Sequence, residues 1–525
     1  MIAHPLLRLR VLRRLRSVDI LPVLRYNRVR HLALRDYQSP SWSGTGWWLA
    51  GYKQGPAQRR ETMYGPDRAL ELLQKVLALV LADEAEATLL AEDQALTRFA
   101  NNAIHQNVAQ RNARLAVRAV VEGGVGVALT NHLDPEGQRW VAERAASNAR
   151  LQSADPDFPG LPHSGTIRQA GTYYEATAAV SPVQRAGAVG LIVEAASRQG
   201  FLATGAYSTG VEELAVANTA GVAAYAPLTC ASLRTVIDAN PPQGLGLLTG
   251  YADAISRDVG QIDAHRVAER AVGKCALNRQ PQALPPGPYD TILEEIAVAD
   301  LLRFLARLGL SAQAVQEGQS FAVGKMGQKV CGADFDLWDD AADSRGLALP
   351  FDWEGVPAQH LSLIEKGILC ALAYDSRSAA KDGRVSTGHA VSPIYRYGGP
   401  WPAPTHLFVA PGQTPRNDLV TGIERGVLVT RFHYTHCPDP QRVVATGTTR
   451  DGTFLIEEGR IVGALHNLRF TQSVLEAFSS IEALSDAPEL HRDWWGSAAH
   501  HVPAMRVHGF KFTGAAGGSP DRQSP

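Results

Sequence analysis

The sequence predicts an α+β protein with an N-terminal α/β domain built on antiparallel hairpins, a sheet-rich middle and a β-rich C-terminal domain. Three observations carry that reading. Apolar residues recur at helical spacing just after Met63, alternating strands flank a Glu-Gly-Gly turn at 122–124, and Gly/Pro-punctuated strand runs fill most of the remaining chain. A length of 525 residues, 45% hydrophobic and 20% charged, is that of a soluble globular chain. At about 100–200 residues per domain it holds two to four domains.

Residues 1–62 stand apart. They carry eleven Arg and Lys53 against Asp19, Asp36 and Glu61, a net of +9, and include Trp42, Trp47 and Trp48 in a turn-rich stretch. The Arg/Leu mixture keeps no helical stripe and is broken by Pro22. Two readings are open: a membrane-surface or polyanion-binding arm, or a basic extension that is disordered or non-native, with Met63 as the natural start. The second is preferred, because Met63 directly precedes a helix whose stripe is Leu70, Leu73, Leu77 and Val80, with Pro66 and Asp67 in the first turn.

Domain one is expected over 63–162, with strands at 114–121 and 125–131 and a helix opened by Asp134-Pro135. The middle domain, 163–288, reads as an antiparallel sheet from Ala186 to about Leu248, followed by a helix at 263–277 and the proline cluster at 281–290. The C-terminal domain, 289–512, opens on an amphipathic helix with Ala297, Leu301, Phe304 and Leu308 on one stripe. It continues through strands, among them a hairpin turning at Glu458-Gly459, to a disordered tail at 513–525.

The whole chain carries −1, so the body beyond residue 62 carries −10, which excludes the basic excess of a nucleic-acid binder. Five cysteines, odd in number and without a CxxC pair, read as reduced thiols in a cytoplasmic protein. No apolar run reaches the roughly 18–20 residues of a membrane span, and no secretory signal is legible.

Few motifs carry chemistry by themselves. Gly244, Gly246 and Gly250 lack a βαβ context and read as a flexible turn, and no GxSxG elbow is present. His433, His436 and Cys437 offer the donors of a zinc site, but on a strand His433 and His436 face opposite ways unless a bulge intervenes. The plainer account is a strand end. His389 lies in a polar glycine loop, where a lone His is a substrate contact or a surface residue. Glu294, Glu295 and Asp300 read as the solvated face of their helix.

At TRFANNAIHQNVAQRNARLAVRAVVEGGVGVALTNHLD the chain resembles the TldD/PmbA family, the modulators of DNA gyrase. The likeness continues in ADPDFPGLP, KDGRVSTGHAVSP and TRDGTFLIEEGRIVGALHNLRFTQSVLEA, and spans roughly residues 63–510. The resemblance implies a zinc peptidase fold. In the TldD branch an HExxxH helix supplies two His ligands and a water-activating Glu, with a later cysteine as a further ligand. Here the matching helix is EEIAVADLL, which aligns Glu295 and Asp300 with the histidines and Ile296 with the catalytic Glu. A one-residue slip places Glu294 and Ala299 there, with Glu295 as base; neither register supplies a histidine.

The likeness is therefore to the PmbA/TldE branch. It implies a zinc-less subunit, without a cofactor of its own, that joins a zinc-bearing TldD-like partner around a chamber for unfolded or extended peptides. Contact with nucleic acid or membrane is not expected. On this resemblance His389, Asp382 and Arg384 are expected near the chamber, and no residue of this chain is expected to be catalytic. The alternatives are a self-contained metallopeptidase with its metal at His433, His436 and Cys437, and a peptide-binding homomer.

Overall fold

Pro66 in the first turn opens helix α1 (Gly65–Leu77), whose buried face is Ala69, Leu73 and Val76. The expected stripe is thus displaced, and Val80 lies beyond the helix end. The computed structural model describes residues 63–239, 248–391, 401–492 and 498–515. The expectations for residues 1–62, for Gly244 and Gly246, and for the tail beyond Ala515 fall outside them.

After α1 the chain runs into β1 (Glu84–Ala100), β2 (Ala103–Val121) and β3 (Gly124–Thr130). The β2–β3 turn falls at Glu122 and Gly123, both at positive φ, as the hairpin signal requires. Helix α2 (Pro135–Arg150) follows, with the Asp134 carboxylate accepting from Gly137 N at 2.8 Å. A short α3 (Glu175–Ala178) leads to α4 (Pro182–Arg198), then β4 (Leu202–Asn218), β5 (Ala223–Asp238), β6 (Thr249–Ser256) and α5 (Ala264–Leu277).

One expectation is corrected here. Residues 186–198 are helical: Ser181 and Gln184 cap each other reciprocally and Pro182 occupies the first turn, a start signal that outweighs the strand-like Val/Ile content. Conversely, the Ala/Leu/Glu-rich segment 84–100 is the longest-paired strand of its sheet. It is held on both sides by β2 and β4, so ladder and burial override its helical composition.

One six-stranded sheet, in the order β3-β2-β1-β4-β5-β6, spans both the first and the middle expected domains. Its two faces follow the pleat. Odd-numbered residues such as Leu89, Phe99, Tyr207 and Leu233 pack under α1, α2, α4 and α5. Even-numbered Leu214, Val216, Ala226 and Leu228 meet Phe351 of the C-terminal half.

That half begins with β7 (Gly287–Leu293) and α6 (Glu295–Phe304). Its main sheet closes on itself. Strand Arg425–Asp439 pairs with β7 on one side and with Val444–Glu457 on the other, and the ladder returns through Leu468–Ser473 and Met505–Ala515. Inside lie Phe432, Phe470, Phe510 and Phe512, with Phe432 and Phe470 ring centroids 4.3 Å apart. The turn at Glu458-Gly459 is as expected, whereas Thr513–Ala515 belong to the last strand rather than to a tail.

Candidate functional site

The cavity between the two halves is about 770 Å³. Its floor is the even-numbered face of the sheet, with Gln94, Ser208, Ser232 and Arg234, joined by Tyr251 of β6. Its opposite wall is α6, with Ile296, Asp300 and Arg303, and strand Arg425–Asp439, with His433 and His436. The walls are therefore largely polar. Burial, with Asp253 adding to it, pushes the Tyr251 phenol well above its ordinary range, and the Arg431 guanidinium lies 4.8 Å over its ring.

The helix aligned with the family's zinc motif thus faces the cavity, but its acids are not the solvated face expected from the sequence. Glu295 is fully buried and Glu294 nearly so. Arg416 donates to Glu295 through Nε at 2.5 Å and Nη2 at 3.0 Å, and to Glu294 at 3.0 Å. From the first half of the chain, Lys274 pairs with Glu294, and Arg270 stands 3.5 Å from Glu295. Burial alone would raise the Glu294 carboxyl, but Lys274, Arg416 and Arg270 outweigh it and hold it at about 2. Asp300 accepts from Phe432 N at 3.1 Å at the cavity wall.

The ion cluster extends further. Arg266, Arg270 and Lys274 recur every four residues along one face of α5, and the first two both reach Glu489. His491, fully enclosed, has Nδ1 3.0 Å from Asp253 of β6 and Nε2 3.6 Å from Glu489. Burial opposes its charge, but the two carboxylates prevail and lift it to about 10, so His491 is an imidazolium at neutral pH. A second tie crosses the halves nearby: Arg431 Nε donates to Asp451 at 2.6 Å, and Thr249 Oγ1 donates to the same carboxylate at 2.6 Å.

The strand cluster is only partly gathered. His433 lies opposite Thr448 and His436 opposite Thr446, so one extra residue is inserted, and Tyr434 takes φ +53°. The bulge brings both imidazoles to the cavity wall. Cys437 packs against the barrel core with Sγ 3.4 Å from the Asp439 carbonyl, and burial raises its thiol above the ordinary value.

The three chamber candidates lie elsewhere. His389 is buried within the C-terminal half, Nε2 3.2 Å from Asp339 and Nδ1 2.8 Å from the Thr387 carbonyl. Asp382 accepts from Tyr374 Oη at 2.9 Å, and Arg384 sits 5.8 Å over the same ring. None of the three lines the cavity. Sequence reasoning missed Arg416, His491 and Asp451. The four-residue recurrence of cations on α5 was the one local signal of a buried acidic counterpart.

Two family models match: PmbA/TldA metallopeptidase domain 1 over residues 85–149, and the PmbA/TldA metallopeptidase C-terminal domain over residues 286–514. The chain belongs to the PmbA/TldD family. Among relatives, the metalloprotease TldD homolog of Haemophilus influenzae is 27% identical over 232 residues, 44% of this chain and 48% of that protein. The metalloprotease PmbA homolog of the same organism is 30% identical over 166 residues, 31% of this chain and 35% of that protein. The chain thus spans about half the length of the TldD homologs it matches. The crystal structure of TldE from Thermococcus kodakarensis superposes with a TM-score of 0.76 at 22% identity, covering 85% of this chain and 99% of that one. A putative modulator of DNA gyrase from Thermotoga maritima gives 0.73 at 20% identity, covering 84% and 99%.

A metallopeptidase family implies zinc, and the residues on α6 do not fit it. Glu295 spends both oxygens on guanidinium groups, Glu294 is bound by Lys274 and Arg416, Asp300 is engaged by a backbone N–H, and Ile296 has no proton to exchange. Among the described residues, no group of three or more His, Cys, Asp or Glu side chains could hold a metal ion, and this includes His433, His436 and Cys437.

Proposed function

We propose that this chain is the zinc-less TldE/PmbA-type subunit of a heteromeric, cytoplasmic peptidase acting on unfolded or extended peptides, with the zinc carried by a TldD-like partner. The observation that carries the reading is the clasp of Arg416 on Glu294 and Glu295. Fixed cations stand against the carboxylates on the helix where the family's catalytic branch keeps its ligands, so this helix is structural. The cavity supports the peptide half of the reading. Its size is in the range of small-ligand sites, and the polar side chains of its floor, Gln94, Ser208, Ser232 and Arg234, suit the main-chain amides of an extended peptide. In this reading the chain's own residues bind and orient substrate and complete the enclosure, while hydrolysis takes place on the partner.

The test is a comparison of casein hydrolysis by the purified chain alone and after addition of an HExxxH-bearing family member from the native host. No turnover alone, and turnover with the partner, is expected. Chelator-sensitive hydrolysis by the chain alone would overturn the reading and favour the self-contained metallopeptidase, for which the two imidazoles at the cavity wall speak. Recovery of the chain only with itself from its native host would favour a peptide-binding homomer.

A further inference from the structure

Far from the cavity, the C-terminal half is seated on the base of the sheet through a second buried ionic cluster. Arg118 of β2 donates to Glu86 of β1 at 2.8 Å and to Glu354 of the C-terminal half at 3.0 Å. The other Glu354 oxygen accepts from Ser376 N at 2.9 Å, at the start of helix Ser376–Lys381. Asp352 accepts from Glu354 N, Val356 N and Ala390 N, each at 2.9 Å, and Asp375 caps the 376–381 helix by accepting from Ser378 N at 2.8 Å. All five charged side chains are more than nine-tenths buried. Outside them, Arg377 is already engaged by Asp155 at 2.5 Å, and Lys381 by Asp157 at 3.1 Å.

Four carboxylates around one guanidinium would bury three uncompensated negative charges if all were ionised, which a water-excluded seam does not sustain. Protons must make up part of the balance. Asp352 has three backbone donors and Asp375 has its cap, whereas among the described residues Glu86 accepts from Arg118 alone. We propose that the seam at Arg118 is a proton-dependent clasp, in which Glu86 is held as a neutral acid and its ionisation at rising pH loosens the C-terminal half from the sheet.

Burial, with Glu354 adding to it, raises Asp352 well above the ordinary carboxylate range despite its three backbone donors, so the seam holds a proton there as well as at Glu86. Burial first, with Glu354 adding to it, lifts Glu86 to about 7 from an ordinary 4.5 despite Arg118, and Asp375 is lifted to about 6, again by burial first and then by Glu354. A carboxyl whose folded value lies above its unfolded one gives stability that is fully present below the unfolded value and is lost as pH rises through the folded value. The window for Glu86 is therefore between about 4.5 and 7.

The test is thermal unfolding of the full chain from pH 5 to 8, for the wild type and for Glu86→Gln, which keeps shape and removes the titration. A wild-type midpoint lower by about 2–4 °C at pH 8 than at pH 5.5, and a smaller fall in Glu86→Gln, is expected. Parallel profiles would overturn the proposal. Infrared spectra of the wild type supply a reading that needs no variant. A carboxylic-acid carbonyl band stronger at pH 6 than at pH 8, with Asp352 contributing at both, supports the clasp, and an unchanged band overturns it.

Discussion

At the scale of single residues, the decisive feature is that buried acids on α6 are matched by fixed cations. Removing one partner of such a pair leaves a charge stranded in a low-dielectric seam, which costs about 3–5 kcal/mol. Arg416→Met should therefore lower the urea unfolding free energy by that order. Glu295→Gln on the Arg416→Met background should restore part of it, and the double-mutant cycle measures the coupling. His491 gives a second prediction. Its folded value near 10 lies above its ordinary 6.5, so the stability it contributes is complete below about 6.5 and is lost as pH rises through 10. The ring-proton NMR shift of His491 should stay at its protonated position from pH 6 to 9; a midpoint near 6.5 would show that Asp253 and Glu489 do not hold it.

At the scale of elements, what the sequence disclosed was what local chemistry decides. Asp134-Pro135, the Glu122-Gly123 turn and the Glu458-Gly459 turn each carry their geometry in two residues, and each is found where expected. Segment 84–100 was hidden because Ala, Leu and Glu favour helices, and only long-range pairing with β2 and β4 makes it a strand. The candidate site was half legible for the same reason. Ile296, Asp300, His433 and His436 were singled out and do meet at one cavity, whereas His389, Asp382 and Arg384 stay within the C-terminal half. Arg416 lies 121 residues from Glu295, beyond the reach of any local pattern. Packing at β3 supplies a test of the element scale. A Cβ at Gly126 would stand 2.1 Å from Ala149 N and 2.5 Å from Ala145 O of α2. Gly126→Ala should push α2 off the sheet and destabilise the chain by about 1–3 kcal/mol or more, read as a fall in the denaturant midpoint.

At the scale of the whole molecule, the halves are joined by the α5–α6 ion cluster beside the cavity, the Thr249–Asp451 tie, the Arg118 clasp at the base of the sheet and the apolar packing of Leu214, Val216 and Leu228 on Phe351. Among the described residues no helix is long and apolar enough to cross a membrane. The proposed function requires that α6 hold no metal. Metal analysis of the purified full chain tests it most directly. No stoichiometric zinc is expected, before or after incubation with zinc and desalting. One tightly held zinc per chain, lost when His433 and His436 are changed to Ala, would contradict it.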